Sequence, residues 1–234
     1  MAVRALPVLL READPSEAGA VLDFYTALND PNLLDRDLVE LRGAADNGLL
    51  FVVLDGPDLV AAAGVFDIAD DHVEFGATGV SVPYRGHKLQ QLLARTRAAA
   101  TVAHHGRFDV HTTAIKPSNH PSRKNMTDVG FTPWHTPIAA MTSVCAPSGT
   151  RPGCAQYQGL VGRPCCCDFY ILEPHRKHRC IAQFLADVPA PGSVVALFNK
   201  YGTSRLDVQM ETIVAGGPHR LDLGSLRSAI GVVS

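Results

Sequence analysis

The chain has 234 residues, 46% of them hydrophobic, with 21 basic against 23 acidic side chains and a net charge of -2. That is apolar material for a substantial core and excludes a disordered chain, while the near-balanced charge excludes any overall attraction for nucleic acid or an anionic membrane. No apolar run approaches the roughly 20 residues that cross a bilayer, and Arg4, Arg11 and Glu12 occupy the stretch where a signal peptide would carry its apolar core, so the expectation is a cytoplasmic protein whose six cysteines are reduced thiols.

Ala5 to Glu12 reads as a short apolar strand. Asp14-Pro15-Ser16-Glu17 then sets a cap, a first-turn proline and a capping-box glutamate in register, which predicts a helix with the face Ala18, Val21, Leu22, Tyr25 and Leu28. Leu34, Leu38 and Leu41 predict a second helix. Leu49 to Leu54 and Leu59 to Phe66, joined by Asp55-Gly56-Pro57-Asp58, read as a hairpin, and Asp70-Asp71 turns the chain into a strand over His72 to Val82.

Pro83 stops that strand and Arg85-Gly86 turns the chain. From Leu89 the apolar positions Leu92, Leu93, Ala99, Ala100 and Ala103 take helical spacing. A further strand is expected over Arg107 to Ile115, a short helix after Asn119 and a strand over Gly130 to Met141. Residues 142 to 164 lack any period and read as a long inserted loop. Cys166 to Leu172 predicts the last strand of this unit. Beyond Glu173 come a helix carrying Ile181, Phe184, Leu185 and Val188, strands near Val194 to Phe198 and Leu206 to Val214, and a helical turn near Leu221 to Ile230. The sum is an α/β fold, a mixed sheet with helices on both faces. It comprises a first unit of residues 1 to 173 and a C-terminal α/β extension of residues 174 to 234, a candidate degenerate half-repeat because Pro174 to Arg179 echoes Pro83 to Lys88.

The strand, turn and helix around Gly86 form an anion-binding device: amides at a helix start point outward, unpaired, at the positive end of the helix dipole. A phosphate or pyrophosphate cradled from Gly86 onward, with Arg85, His87 and Lys88 adding charge, is one reading. An ordinary turn with a solvated basic rim is the other.

Val80-Ser81-Val82-Pro83-Tyr84-Arg85-Gly86-His87-Lys88-Leu89-Gln90 resembles the acetyl-CoA loop of the GCN5-related N-acetyltransferases (GNAT), Arg/Gln-x-x-Gly-x-Gly/Ala after a strand ending V-x-V-x-P, with Lys88 and Gln90 where the family has small residues. Asn119 to Phe131 resembles the family's N-x(10)-G-F segment, at the family spacing. Two motifs in the right order are more specific than one, and together they cover roughly Val8 to Glu173.

The resemblance implies the GNAT acyl-CoA N-acyltransferase fold, with acetyl-CoA as co-substrate, pantetheine entering where parallel strands part around Val80 and Val110, and pyrophosphate on Arg85 to Gln90. Val80, Ser81, Val82, Arg85, Gly86, His87, Lys88, Leu89, Gln90 and Asn119 are the implied cofactor-binding positions. Asn119 reads equally as a helix cap. Glu74 stands where family members carry a base, with a solvent-facing strand carboxylate as the alternative and His72 as a second candidate. Met126 stands where the family has its tyrosine acid, so either Tyr170, Tyr84 or water serves instead, with Tyr170 the candidate chosen, or the thiolate leaves unassisted. The first two helices would form the lid over the acceptor, a small-molecule amine or an amine on a macromolecule.

A competing reading is a catalytically degenerate module that binds CoA, a protein or nucleic acid, the last through His175 to Arg179. Cys145, Cys154, Cys165, Cys166, Cys167, Cys180, His175 and His178 match no standard zinc spacing, and no metal is expected. The extension is also a candidate for building a homodimer.

Overall fold

Local signals near the start of the chain are met in the structure, a computed structural model that describes residues 7–33, 35–69, 72–105, 110–134, 167–211, 221 and 223–231, with no side chains described at 67–69, 72 and 105. Strand β1 (Val8–Glu12) leads into Asp14, whose carboxylate accepts from Ser16 N at 2.8 Å while Glu17 accepts from Asp14 N at 2.8 Å. Helix α1 (Ala18–Leu28) follows and stops at Asn29 in the left-handed region. Helix α2 (Leu38–Asp46) opens on a second capping box, Asp37 with Glu40, which the reading of the sequence passed over and which sets the start at Leu38 rather than near Leu34. Strands β2 (Leu50–Asp55) and β3 (Asp58–Ala69) form the expected hairpin.

Strand β4 (His72–Val80) ends two residues early, because Pro83 draws Val82–Tyr84 into a 3-10 turn. Helix α3 (Leu89–His105), β5 (Val110–Ile115), α4 (His120–Val129), β6 (Thr132–Trp134) and β7 (Asp168–Leu172) complete the first unit. The expected insertion at 142 to 164, most of the strand reaching Met141, and Arg107 lie outside the described residues.

All nine strands of the described residues lie in one sheet, in the order β6-β7-β5-β4-β3-β2-β1-β9-β8. The extension supplies α5 (Pro174–Asp187), β8 (Val194–Phe198), β9 (Arg205–Met210) and α6 (Leu223–Ala229). It adds to this sheet rather than forming another: β9 runs parallel to β1, with Val8 opposite Val208 and Leu10 opposite Met210. Helix α5 packs on α3, where Arg95 meets Asp187 at 3.0 Å. Strand alternation then sorts the core. Leu10, Phe51, Val65, Phe75, Leu172 and Val208 face α3, α5 and α6, while Leu50, Val52, Ala62 and Ala77 face α1 and α2. Among the described residues no helix is long and apolar enough to cross a membrane.

Candidate active site

Strands β4 and β5 pair in parallel only at His72–Val110, Val73–His111 and Glu74–Thr112. Beyond that they part, so the opening lies between Phe75–Val80 and Thr113–Ile115. Val110, expected beside the opening, instead sits in the paired part. Two hydroxyls line the apex, Thr112 donating to Val73 O at 3.1 Å and Thr113 to Phe75 O at 2.9 Å. On its other side β4 carries a bulge: Ala62 faces Gly79 and Gly64 faces Gly76, so Ala77 and Thr78 oppose Ala63 alone. Ala77 takes φ 46°, and its carbonyl accepts from the Tyr25 hydroxyl of α1. Burial pushes that hydroxyl's pKa above its ordinary value.

At the open end of β4, Ser81 donates its amide to Val60 O at 2.9 Å, Val80 packs on the core and Val82 is exposed. The amides of Gly86, His87, Lys88, Leu89 and Gln90 donate to no acceptor among the described residues, and the first amide of α3 to turn inward is that of Gln91, onto Lys88 O at 2.9 Å. Amides left open at a helix start are the geometry that an anion-binding turn requires. Its side chains are differently disposed. Leu89 is buried in the core, and Gln90 is turned to α4, where it bonds Ser122 at 3.1 Å and Asn125 at 2.8 Å. Arg85 bends back onto Val80 O at 2.8 Å and reaches Asp30 at 3.3 Å. His87 Nε2 meets Ser204 Oγ at 2.7 Å, so the β8–β9 turn of the extension buttresses the loop. Lys88 has φ 63°, the left-handed conformation for which the family uses glycine.

A lysine in that conformation costs about 1–2 kcal/mol, while a glycine costs about 0.5–1 kcal/mol in extra chain entropy. Lys88→Gly is therefore expected to stabilise the protein by a fraction of a kcal/mol to about 1 kcal/mol, raising Tm by roughly 1–4 °C in calorimetry. An unchanged or lower Tm would show that the lysine side chain itself holds the turn.

On the face towards α1 and α2, Glu74 is buried, which removes the solvent-facing alternative. Its Oε2 lies 2.6 Å from Arg36 Nη2, with the two side chains 5% and 1% exposed. Arg36 comes from the α1–α2 connection, stacks at 4.0 Å on the Phe66 ring and approaches Glu40 at 3.4 Å. The same connection is tied across the open end of the split: Asp30 to Arg85 on the β4 side, and Pro31 O to Lys116 Nζ on the β5 side. On the opposite face Arg97 of α3 donates to Gly64 O at 3.0 Å and Gly76 O at 3.3 Å. Burial lowers its guanidinium to about 10, which leaves it charged at neutral pH. Arg36, Tyr25, Lys116 and Ser204 were missed as site residues, because their roles come from tertiary contacts that no local spacing announces.

Tyr170 faces α3 and α4, the side of the sheet opposite Glu74, and its hydroxyl accepts from Arg123 Nε at 2.9 Å. In register it stands beside Thr113, next to the parting strands. Met126 is core, packed with Phe131 and Leu172. Tyr84 is committed to Asp55 at 2.6 Å. Asn119 caps α4, accepting from Ser122 N at 3.2 Å. His175 to Arg179 form the first turns of α5, with Lys177 buried, so the echo of the phosphate loop has no glycine turn and no open cradle. Cys180 is buried and its thiol is pushed up to about 12, which removes thiolate chemistry there at neutral pH. Cys145, Cys154, Cys165, Cys166 and the side chain of His72 lie outside what is described.

No protein-family model matches the sequence, and no curated protein matches it. Solved structures do. The Salmonella typhimurium protein yncA, solved with its cofactor acetyl-CoA, superposes with TM-score 0.52 at 17% identity over 72% of this chain and 95% of that one. An N-acetyltransferase of Staphylococcus aureus Mu50 gives 0.51 at 16% over 72% and 99%. N-acetylglutamate synthase of Neisseria gonorrhoeae, complexed with coenzyme A and N-acetyl-glutamate, gives 0.51 at 14% over 73% of this chain and 35% of that longer one. These likenesses show the fold, and the chain has the mixed-sheet α/β fold of the GCN5-related N-acetyltransferases.

Proposed function

We propose that the protein transfers the acetyl group of acetyl-CoA directly to a primary amine. The observation that carries this reading is the parting of β4 from β5 beside five unengaged amides at the start of α3. The amides of Gly86 to Gln90, with Lys88 and His87, would hold the diphosphate, and the opening between the strands would take the pantetheine arm. That the gonococcal synthase carries an acetylated amino acid beside coenzyme A supports an amine as acceptor.

In the transfer the amine lone pair forms the N–C bond at the thioester carbonyl, whose developing oxyanion is met by an amide on the freed edge of β4 near Ala77 to Val80. Glu74 takes the proton leaving nitrogen, directly or through one water. The C–S bond breaks and the thiolate takes a proton from Tyr170, whose oxygen accepts from Arg123 and so keeps its own hydrogen to give. Tyr170 recovers that hydrogen from solvent, and Glu74 returns its proton there.

Incubating the pure protein with acetyl-CoA and a panel of amines, while following free thiol, tests this. Amine-dependent thiol release is expected, and absence of both release and CoA binding in calorimetry would end the reading. Met126 in the core, where the family has its acid, favours the second reading, a CoA-binding module without turnover; CoA binding with no thiol release from any amine would select it.

A further inference from the structure

We infer that Arg36 is a positioning residue for this transfer, its guanidinium fixing one oxygen of Glu74 so that the other is left to receive the amine proton. The inference rests on the acetyl-transfer reading above. Arg36 belongs to a connection, not to a helix or strand, yet its side chain is 1% exposed. Its Nη2 makes the 2.6 Å bond to Glu74 Oε2, its face covers Phe66, and its Nε is buried with no hydrogen-bond partner among the described residues. Packing alone does not account for that choice: burying a guanidinium and leaving a donor unmet are both costly, and an apolar side chain of similar volume fills such space as well or better.

The backbone beneath it has been cleared to admit it. A Cβ on Gly76 would collide with Arg36 Nη2 and stand 3.2 Å from both Arg36 Cζ and Phe66, so only glycine at this position lets the guanidinium lie flat across β4. The location matters as much. Glu74 and Thr112 are the last parallel pair before the strands part, which puts the carboxylate at the apex of the split and just ahead of the bulge at Ala77. Oε1 of Glu74 takes no hydrogen bond from the described residues, whereas Oε2 is locked by a charge-assisted bond that removes the side chain's freedom to turn. Among the charges around it, Glu40 approaches Arg36 from α2 and Arg97 lies across the sheet on α3; the 2.6 Å bond from Arg36 is the direct contact to the carboxylate.

The test is a double-mutant cycle on steady-state kinetics, with CoA affinity as the check on folding. Arg36→Lys is expected to lower kcat about 10- to 100-fold with the affinity for CoA unchanged, and to have no further effect in a Glu74→Gln background, because its action passes through that carboxylate. Gly76→Ala, which removes no functional group, should reproduce the loss by displacing the guanidinium, and it carries the test where Arg36→Lys does not fold. Equal losses in the two backgrounds, or full kcat in Gly76→Ala with CoA still bound, overturn the inference while leaving acetyl transfer intact. Absence of turnover in the unaltered protein overturns both.

Discussion

Glu74→Gln is expected to lower kcat for the proposed acetyl transfer about 10²–10⁴-fold, the usual contribution of a positioned base, and to leave the affinity for CoA unchanged. The shape of the side chain survives the change, and the amide oxygen can still accept from Arg36, so what is lost is the negative charge and the capacity to take a proton. The amides of Gly86 to Gln90, proposed above to hold the cofactor, lie beyond the end of β4, out of reach of that change. Stability does not escape. Arg36 remains buried with Glu40, at 3.4 Å, as its remaining carboxylate among the described residues, and breaking a buried pair costs about 3–5 kcal/mol, which lowers Tm by roughly 6–20 °C. Kinetics and calorimetry must therefore be run well below the variant's own melting range. A folded, CoA-binding Glu74→Gln protein with undiminished kcat would show that water alone removes the proton.

Ending the chain after Glu173 is the second change with a large expected effect: the remaining protein should not fold. Ile181, Phe184, Leu185 and Val188 of the α5 segment and Leu206, Val208 and Met210 of β9 are all buried against the first unit. At about 1.5–3 kcal/mol for each such side chain, their loss removes roughly 10–20 kcal/mol, against a whole-protein stability of about 5–15 kcal/mol. The cut also strips the outer edge of β1 and bares the leucines of α3, which makes aggregation the expected visible result. Soluble residues 1–173 that melt in one cooperative transition and still bind CoA would contradict this and make the extension an accessory.

Much of the fold was legible because its signals are local. The Asp14–Glu17 box, the Gly56 hairpin, the Asn119 cap and the Gly130 stop of α4, at φ 120°, each depend on residues a few positions apart. The alternation of Leu206, Val208 and Met210 likewise announces a strand. It carries no information about which strand will lie beside it, and so the union of β9 with β1 was hidden. The site divides in the same way. Its amide cradle follows from a strand, a turn and a helix in succession, whereas the Arg36–Glu74 pair joins a connection to a strand across the fold, and the slot at Gly76 has meaning only once that pair is seen. Lys88 is a third kind of case: the sequence shows a lysine where the family has a small residue, and only the structure shows that its backbone takes the left-handed conformation there.

The parallel union of Val8 with Val208 also bears on how the protein is made. On the ribosome β1 emerges long before β9, so one side of a strand destined for the middle of the sheet must wait, unpaired, through most of synthesis. Contacts that distant are slow to close. A ribosome stalled before β9 is made would thus be expected to display an unpaired β1 edge, the kind of surface that holding chaperones cover.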